Sequence, residues 1–238
     1  MGKKSSSKES ASKESASKES STAAASDSVV FKGKLITVHT RAVRRPDGKE
    51  SRYEIVDHPD AVAIVALRYE GQRRAVPPSR TAERSLRAVP RRAEEGDALA
   101  PEPLVALVHQ QRPVVGKVTI ELPAGLVDPG EEDHPEQAAL RELREETGYT
   151  ADDLRLLTRE YSSPGFTDEA IYIYLATALH PPKDGAQPDP DEIARVEWLP
   201  LGEAMDRCRN GTIDDSKTII GLWLARDVLT RPANTPAG

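Results

Sequence analysis

Between Val118 and Gly148 the chain sets a strand-like run, a glycine loop and a carboxylate-bearing helix in direct succession. Val118-Thr-Ile120 is apolar and β-branched; Pro123, Gly125, Pro129 and Gly130 then break regular structure. The spacing predicts a helix through Arg141-Glu142-Leu143-Arg144-Glu145-Glu146-Thr147, closed by Gly148 as a C-terminal glycine closes helices. Glu142 lies three residues from Glu145 and four from Glu146, so the three carboxylates are neighbours on the helix. Crowded carboxylates repel unless a cation stands among them. Hard cations take oxygen ligands, and Mg²⁺ commonly joins a few carboxylates to the phosphates of a substrate. The bland alternative is a solvated helix face carrying an Arg141–Glu145 pair at i,i+4. The strand and glycine loop directly upstream favour a site: Glu142, Glu145 and Glu146 as candidate metal ligands, with Arg141 orienting them.

The same segment resembles a Nudix box, G-x5-E-x7-R-E-U-x-E-E-x-G-U with U aliphatic or aromatic. Gly125 and Glu131 keep the spacing, Arg141 through Gly148 match position by position, and Tyr149 takes the last U. Glu131 and Arg141 are two residues further apart than in the pattern, the extra pair falling in Glu132-Asp-His-Pro135. Pro135 suits a first helical turn, with Asp133 or His134 as N-cap and Asp133/Glu136 as a capping-box pair. The longer loop does not rotate the helix, so the carboxylate face is expected to survive.

Further segments resemble the ADP-ribose pyrophosphatase branch of that family. These are Glu121-Leu-Pro-Ala-Gly125, Gln110-Gln-Arg-Pro113, Pro164 within Ser162-Ser-Pro-Gly-Phe-Thr-Asp-Glu169, and Gly211-Thr-Ile-Asp-Asp-Ser-Lys-Thr218. The likeness runs from about Val29 to Leu229 apart from one insertion. It implies an α/β/α sandwich around a mixed sheet, preceded by antiparallel strands. It implies Mg²⁺-dependent hydrolysis (Mn²⁺ being the alternative ion) of ADP-ribose or a related ADP-sugar to AMP and a sugar phosphate. It adds the Ala124 carbonyl as a metal ligand, Pro164 and Gly165 as substrate contacts, and a general base on a loop after the box. Glu192 and Glu169 are the two candidates for that base, and Glu145 counts among the catalytic groups with Arg141. Arg112 is assigned to a substrate phosphate, because its fork suits phosphate oxygens. The branch also implies a homodimer.

The rest of the chain sets bounds. Residues 1–28 repeat Ser-Lys-Glu-Ser-Ala without an apolar face and read as a disordered tail. The folded domain is expected over 29–232, with 233–238 a disordered end. Val30–His39 and Arg52–Val56 read as strands around a Pro46-Asp-Gly48 turn, and Ala61–Leu67 as a buried strand whose natural partner is Leu104–Val108. Between those two lies a polar stretch, 68–103, with eight arginines against six acids; it reads as a mobile surface insertion. Leu154–Tyr161, Ala170–Ala176 and Val196–Leu199 are further strands, and Leu201–Arg209 and Lys217–Leu229 helices. The net charge of −6 gives no ground for nucleic-acid binding. No apolar run approaches the ~20 residues of a membrane span. A single cysteine, Cys208, suits a reducing cytoplasm and reads as a half-buried helix residue rather than a nucleophile.

Overall fold

Alternating and continuous apolar runs build ten strands among the residues that the computed structural model describes, 27–69, 101–182 and 195–231. Three of them form a separate antiparallel sheet, β1 (Ser28–Lys32), β2 (Thr37–Arg44) and β3 (Glu50–Asp57), in the order β1-β2-β3. The β2–β3 turn falls at Pro46-Asp-Gly48, where Gly48 takes φ 81°, a value that costs glycine least. Val30–His39, expected as one strand, is two. The chain reverses at Gly33, whose N–H bonds the Ile36 carbonyl at 2.8 Å. A Cβ on Gly33 would stand 2.9 Å from the Phe31 ring, so any other residue would have to push that exposed ring aside.

The main sheet runs β10-β5-β4-β9-β8, with β6 beside β5 and β7 beside β4. Its strands are β4 (Ala61–Arg68), β5 (Leu104–Arg112), β6 (Lys117–Glu121), β7 (Ala124–Leu126), β8 (Thr150–Tyr161), β9 (Ala170–His180) and β10 (Arg195–Pro200). Antiparallel pairs surround one parallel pair, β4 with β9, from Ala61↔Ile171 to Ala66↔Ala176. The sequence paired β4 with β5. They are neighbours in the sheet, paired at Leu67↔Val105 and Arg68↔Leu104, while β7 pairs the start of that edge of β4 and β9 lies along the other edge.

Both faces of β4 are buried, which is why it reads as an unbroken apolar run. Val62, Ile64 and Ala66 pack against α1 (Pro135–Thr147) through Ala138, Ala139 and Leu143. Ala63, Val65 and Leu67 pack on the opposite side with α2 (Leu201–Arg209) and α3 (Ser216–Thr230). The architecture is therefore a mixed sheet between helical layers, with the small antiparallel sheet attached. α3 lies close to the sheet at Gly221, where a Cβ would sit 2.7 Å from Leu122 and 3.0 Å from Val65. Cys208 is partly buried beside this layer, and burial raises its thiol pKa.

Two boundaries differ from the sequence reading. Ser28, assigned there to the tail, opens β1, and Arg68, assigned to the insertion, closes β4. The rest of the expected tail apart from Asp27, residues 70–100 of the insertion, and the end 233–238 lie outside the described residues.

Candidate active site

The turn from β6 to β7 is fixed from three directions. Ile64 N–H donates to the Pro123 carbonyl at 2.8 Å. Leu122 N–H donates to Thr218 Oγ1 of α3 at 2.8 Å, and Ala124 N–H to Glu146 Oε2 of α1 at 3.0 Å. The segment Glu121–Gly125 thus sits where the β4/β5 edge, α1 and α3 meet.

α1 begins at Pro135 with His134 in the N-cap position, and no side chain caps it. The expected Asp133/Glu136 capping pair does not form; Glu136 is paired with His134 instead, at 3.2 Å. The other end follows the sequence reading. Gly148 takes φ 71°, and its N–H reaches the Arg144 carbonyl. Leu143 turns into the core, which directs Glu142 and Glu146 toward the β6–β7 turn. Gly125 is essential to that approach: a Cβ there would fall 2.1 Å from the Glu142 carboxyl carbon.

Arg141 organises the acids around it. Its Nη1 donates to Glu142 Oε1 at 2.6 Å and to Glu145 Oε2 at 3.2 Å; its Nη2 donates to the Leu126 carbonyl at 2.9 Å and to Glu131 Oε2 at 3.1 Å. Burial pulls the guanidinium pKa down, but bonds to Glu131 and Glu142 outweigh it, so the net shift is upward. Glu131 still reaches Arg141 despite the two extra loop residues, and that bond lowers its pKa.

Glu146 is in a different position. Burial pushes its carboxyl up to about 8; Glu142 and Glu121 add repulsion, and the Ala124 N–H only partly opposes them. A recess of about 60 Å³ opens beside it, lined by Val108, Gln110, Arg112, Glu121, Leu122, Ala124 and Glu146. That is room for a few waters or phosphate oxygens, a water needing roughly 10–15 Å³ of such volume. Glu121 of the same lining, 3% exposed, accepts from Arg112 Nε at 2.8 Å, Arg112 Nη2 at 2.7 Å, Thr119 Oγ1 at 2.6 Å and Lys217 Nζ at 2.5 Å. Burial alone would raise its pKa, but Arg112, Lys217 and Thr119 bring it down to about 2.

The fit to a hard divalent cation can be read from these groups. Among the described residues no three histidine, cysteine, aspartate or glutamate side chains converge as a protein-only cage would. What converges is two carboxylates, Glu146 on the Ala124 N–H and Glu142 against Gly125, the first of them made costly to ionise by burial and repulsion. Such a set suits an ion that takes one or two carboxylates and completes its shell with water and phosphate oxygens. Glu145, with its side chain 40% exposed, stands further out, paired with Arg141.

The remaining sequence candidates are placed as follows. Arg112 lines the recess but spends two nitrogens on Glu121. Pro164 and Gly165 are exposed in the β8–β9 turn, outside the recess lining. That turn is pinned to the small sheet by Val56 N–H on the Phe166 carbonyl at 2.7 Å, and by His58 N–H on Asp168. Glu169 accepts from Ser162 Oγ at 2.5 Å and pairs with His58 at 3.3 Å. Glu192 lies outside the described residues. Glu121, Asp215, Lys217 and Thr218 carried no functional assignment from the sequence. The signal available was that they fall inside two of the segments that resemble the pyrophosphatase branch.

An acidic helix packed on one face of the mixed sheet thus brings Glu142 and Glu146 against a glycine turn in an α/β/α protein. Residues 84–220, more than half of the chain, match the family model described as the NUDIX domain. Over 193 residues the chain is 34% identical to ADP-ribose pyrophosphatase of Bacillus subtilis (strain 168), covering 81% of this chain and 86% of that protein. Over 215 residues it is 30% identical to ADP-ribose pyrophosphatase of Mycobacterium tuberculosis (strain ATCC 25618 / H37Rv), covering 88% of each. A crystal structure of an ADP compounds hydrolase shares the fold, with TM-score 0.60 at 22% identity, over 88% of this chain and 97% of that one. The chain belongs to the Nudix family.

Proposed function

We propose that this protein hydrolyses the pyrophosphate bond of ADP-ribose, releasing AMP and ribose 5-phosphate. The observation that carries the reading is the placement of Glu142 and Glu146 against the Ala124–Gly125 turn, in a chain whose relatives over most of its length are named for that reaction. Mg²⁺ is the proposed ion; bound there it would neutralise phosphate charge and lower the pKa of a coordinated water. Glu142, Glu145, Glu146 and the Ala124 carbonyl are its proposed holders. Arg141 keeps Glu142 and Glu145 in place by hydrogen bonds from one nitrogen. Arg112 meets a phosphate oxygen at the recess, and Pro164 and Gly165 border the bound substrate. Glu192 takes the proton from the attacking water, with Glu169 as the alternative base; the bonds of Glu169 to Ser162 and His58 speak for Glu192.

We further place the protein in the cytoplasm, since its one cysteine offers no disulfide. We assign it a homodimer through the small sheet, where Val29, Val30, Phe31 and Tyr53 are 47–68% exposed. Apolar residues so grouped call for cover.

The test is hydrolysis of ADP-ribose with Mg²⁺, products separated by chromatography, beside GDP-mannose and nucleoside triphosphates. ADP-ribose should be cleaved fastest; much faster cleavage of another compound overturns the substrate. Glu192→Gln should then lose about 10²–10⁴ in kcat with KM little changed, and Glu169→Gln much less. The reverse order reassigns the base.

A further inference from the structure

Arg112, at the end of β5, uses Nε and Nη2 on Glu121 and leaves Nη1 as its remaining nitrogen at a recess shared with Ala124 and Glu146. Its side chain is 46% exposed, whereas that of Glu121 is 4% exposed. A half-exposed arginine ordinarily samples many rotamers; this one is gripped by a buried carboxylate. That carboxylate is itself held from behind. Lys217 Nζ bonds Glu121 Oε2 and, at 3.0 Å, Asp215 Oδ1. Asp215 caps α3 by accepting from Thr218 N–H at 3.1 Å and from Thr218 Oγ1 at 2.6 Å. The same Thr218 hydroxyl receives Leu122 N–H, one residue past Glu121. The first turn of α3 therefore locks both the side chain of Glu121 and the backbone that follows it.

Charge bears on what this arrangement does. One carboxylate facing one arginine would cancel it. Here two cations share Glu121, and the second acid, Asp215, is engaged by the helix terminus.

We propose that Glu121, backed by Lys217, is a positioning residue that presents Arg112 Nη1 to a phosphate oxygen of the substrate. This rests on reading the recess as a diphosphate site. An arginine held beforehand has already given up the freedom that phosphate binding would otherwise have to freeze. Removing its holder should weaken phosphate binding even though Glu121 touches no substrate.

A double-mutant cycle tests it, read on the affinity for ADP with saturating Mg²⁺ by calorimetry and on kcat/KM for ADP-ribose. Arg112→Ala should weaken ADP binding roughly ten- to hundredfold, the range of a charge-assisted hydrogen bond. Glu121→Gln should weaken it by a similar factor. The variant with both changes should be no weaker than Arg112→Ala alone, because residues acting through one contact are not additive. A purely structural tie between β6 and α3 would instead lower the melting temperature of Glu121→Gln without changing ADP affinity, or give multiplying losses. Either result overturns the proposal, as does undetectable ADP binding by the unaltered protein. If Glu121→Gln does not fold, the paired change Glu121→Gln with Lys217→Met removes both charges together, a replacement that buried ion pairs often tolerate. It should show the same loss of ADP affinity. Failure of the ADP-ribose assignment shows separately, as absent ADP-ribose hydrolysis while the ADP cycle behaves as stated.

Discussion

Two glutamates line one recess, and their carboxyl groups are driven in opposite directions. Glu121, on the β5–β6–α3 side, is held near 2; Glu146, on α1, is raised to about 8. Both feel burial. The difference is company: Glu121 has Arg112, Lys217 and Thr119 within hydrogen-bond distance, while Glu146 has one backbone N–H and the repulsion of Glu142 and Glu121. A carboxylate whose charge is satisfied by the protein is part of the frame. One whose charge is left unsatisfied is available to an added cation. The comparison separates a carboxylate that the protein's own cations satisfy from one that they do not.

The largest effect should come from the unsatisfied side. Glu146→Gln keeps the shape and removes the charge, so turnover with saturating metal should fall by about 10²–10⁴. Its unfolding stability in chelator should equal or exceed that of the unaltered protein, because a repelled carboxylate has been neutralised. Near-normal turnover would remove Glu146 from the chemistry and break the comparison.

Glu121→Ala should do the opposite to stability. It removes the carboxylate shared by Arg112, which is half exposed, and Lys217, which keeps Asp215, so a loss of about 1–3 kcal/mol is expected, measurable by denaturant unfolding. Titration sharpens the point. The folded-state pKa of Glu121 lies below its ordinary 4.5, so its contribution is present above 4.5 and is lost as pH falls toward 2. The unaltered protein and Glu146→Gln should both show this acid limb in melts between pH 5 and 2. In Glu121→Gln it should shrink, and an unchanged limb would show that the ion pairs do not hold Glu121 ionised.

The smallest change concerns geometry alone. Gly125→Ala would push a methyl into the Glu142 carboxyl group. With Glu142 displaced, turnover should drop roughly ten- to hundredfold while the stability attributed to Glu121 stays. Unaltered kinetics would mean that Glu142 moves aside without consequence.

Much of α1 was legible beforehand because its information is local. Spacing places Glu142, Glu145 and Glu146 together on a helix, and Gly148 ends it in the left-handed conformation that glycine favours. The N-terminus was read less well. Asp133 offered a cap that the longer loop does not present, and Pro135 starts the helix without one. Val30–His39 reads as one strand because apolar residues recur on both sides of Lys32-Gly-Lys34, whereas the Gly33 N–H bond to the Ile36 carbonyl reverses the chain there.

What the sequence determined alone, then, is the local chemistry: a carboxylate helix, a glycine turn able to lie against it, and strands apolar on one or both faces. Tertiary structure decided which groups meet. Lys217 and Glu121 are 96 residues apart, and Leu122 reaches Thr218 over the same distance; no periodicity encodes such a pairing. The parallel pairing of β4 with β9, on the edge of β4 opposite β5, is equally non-local. The same residue type in the same recess became a charge-paired anchor at Glu121 and a carboxyl with an upward-shifted pKa at Glu146. The pKa of a buried group is set by the charges folding brings to it, and those come from parts of the chain that the local sequence does not name.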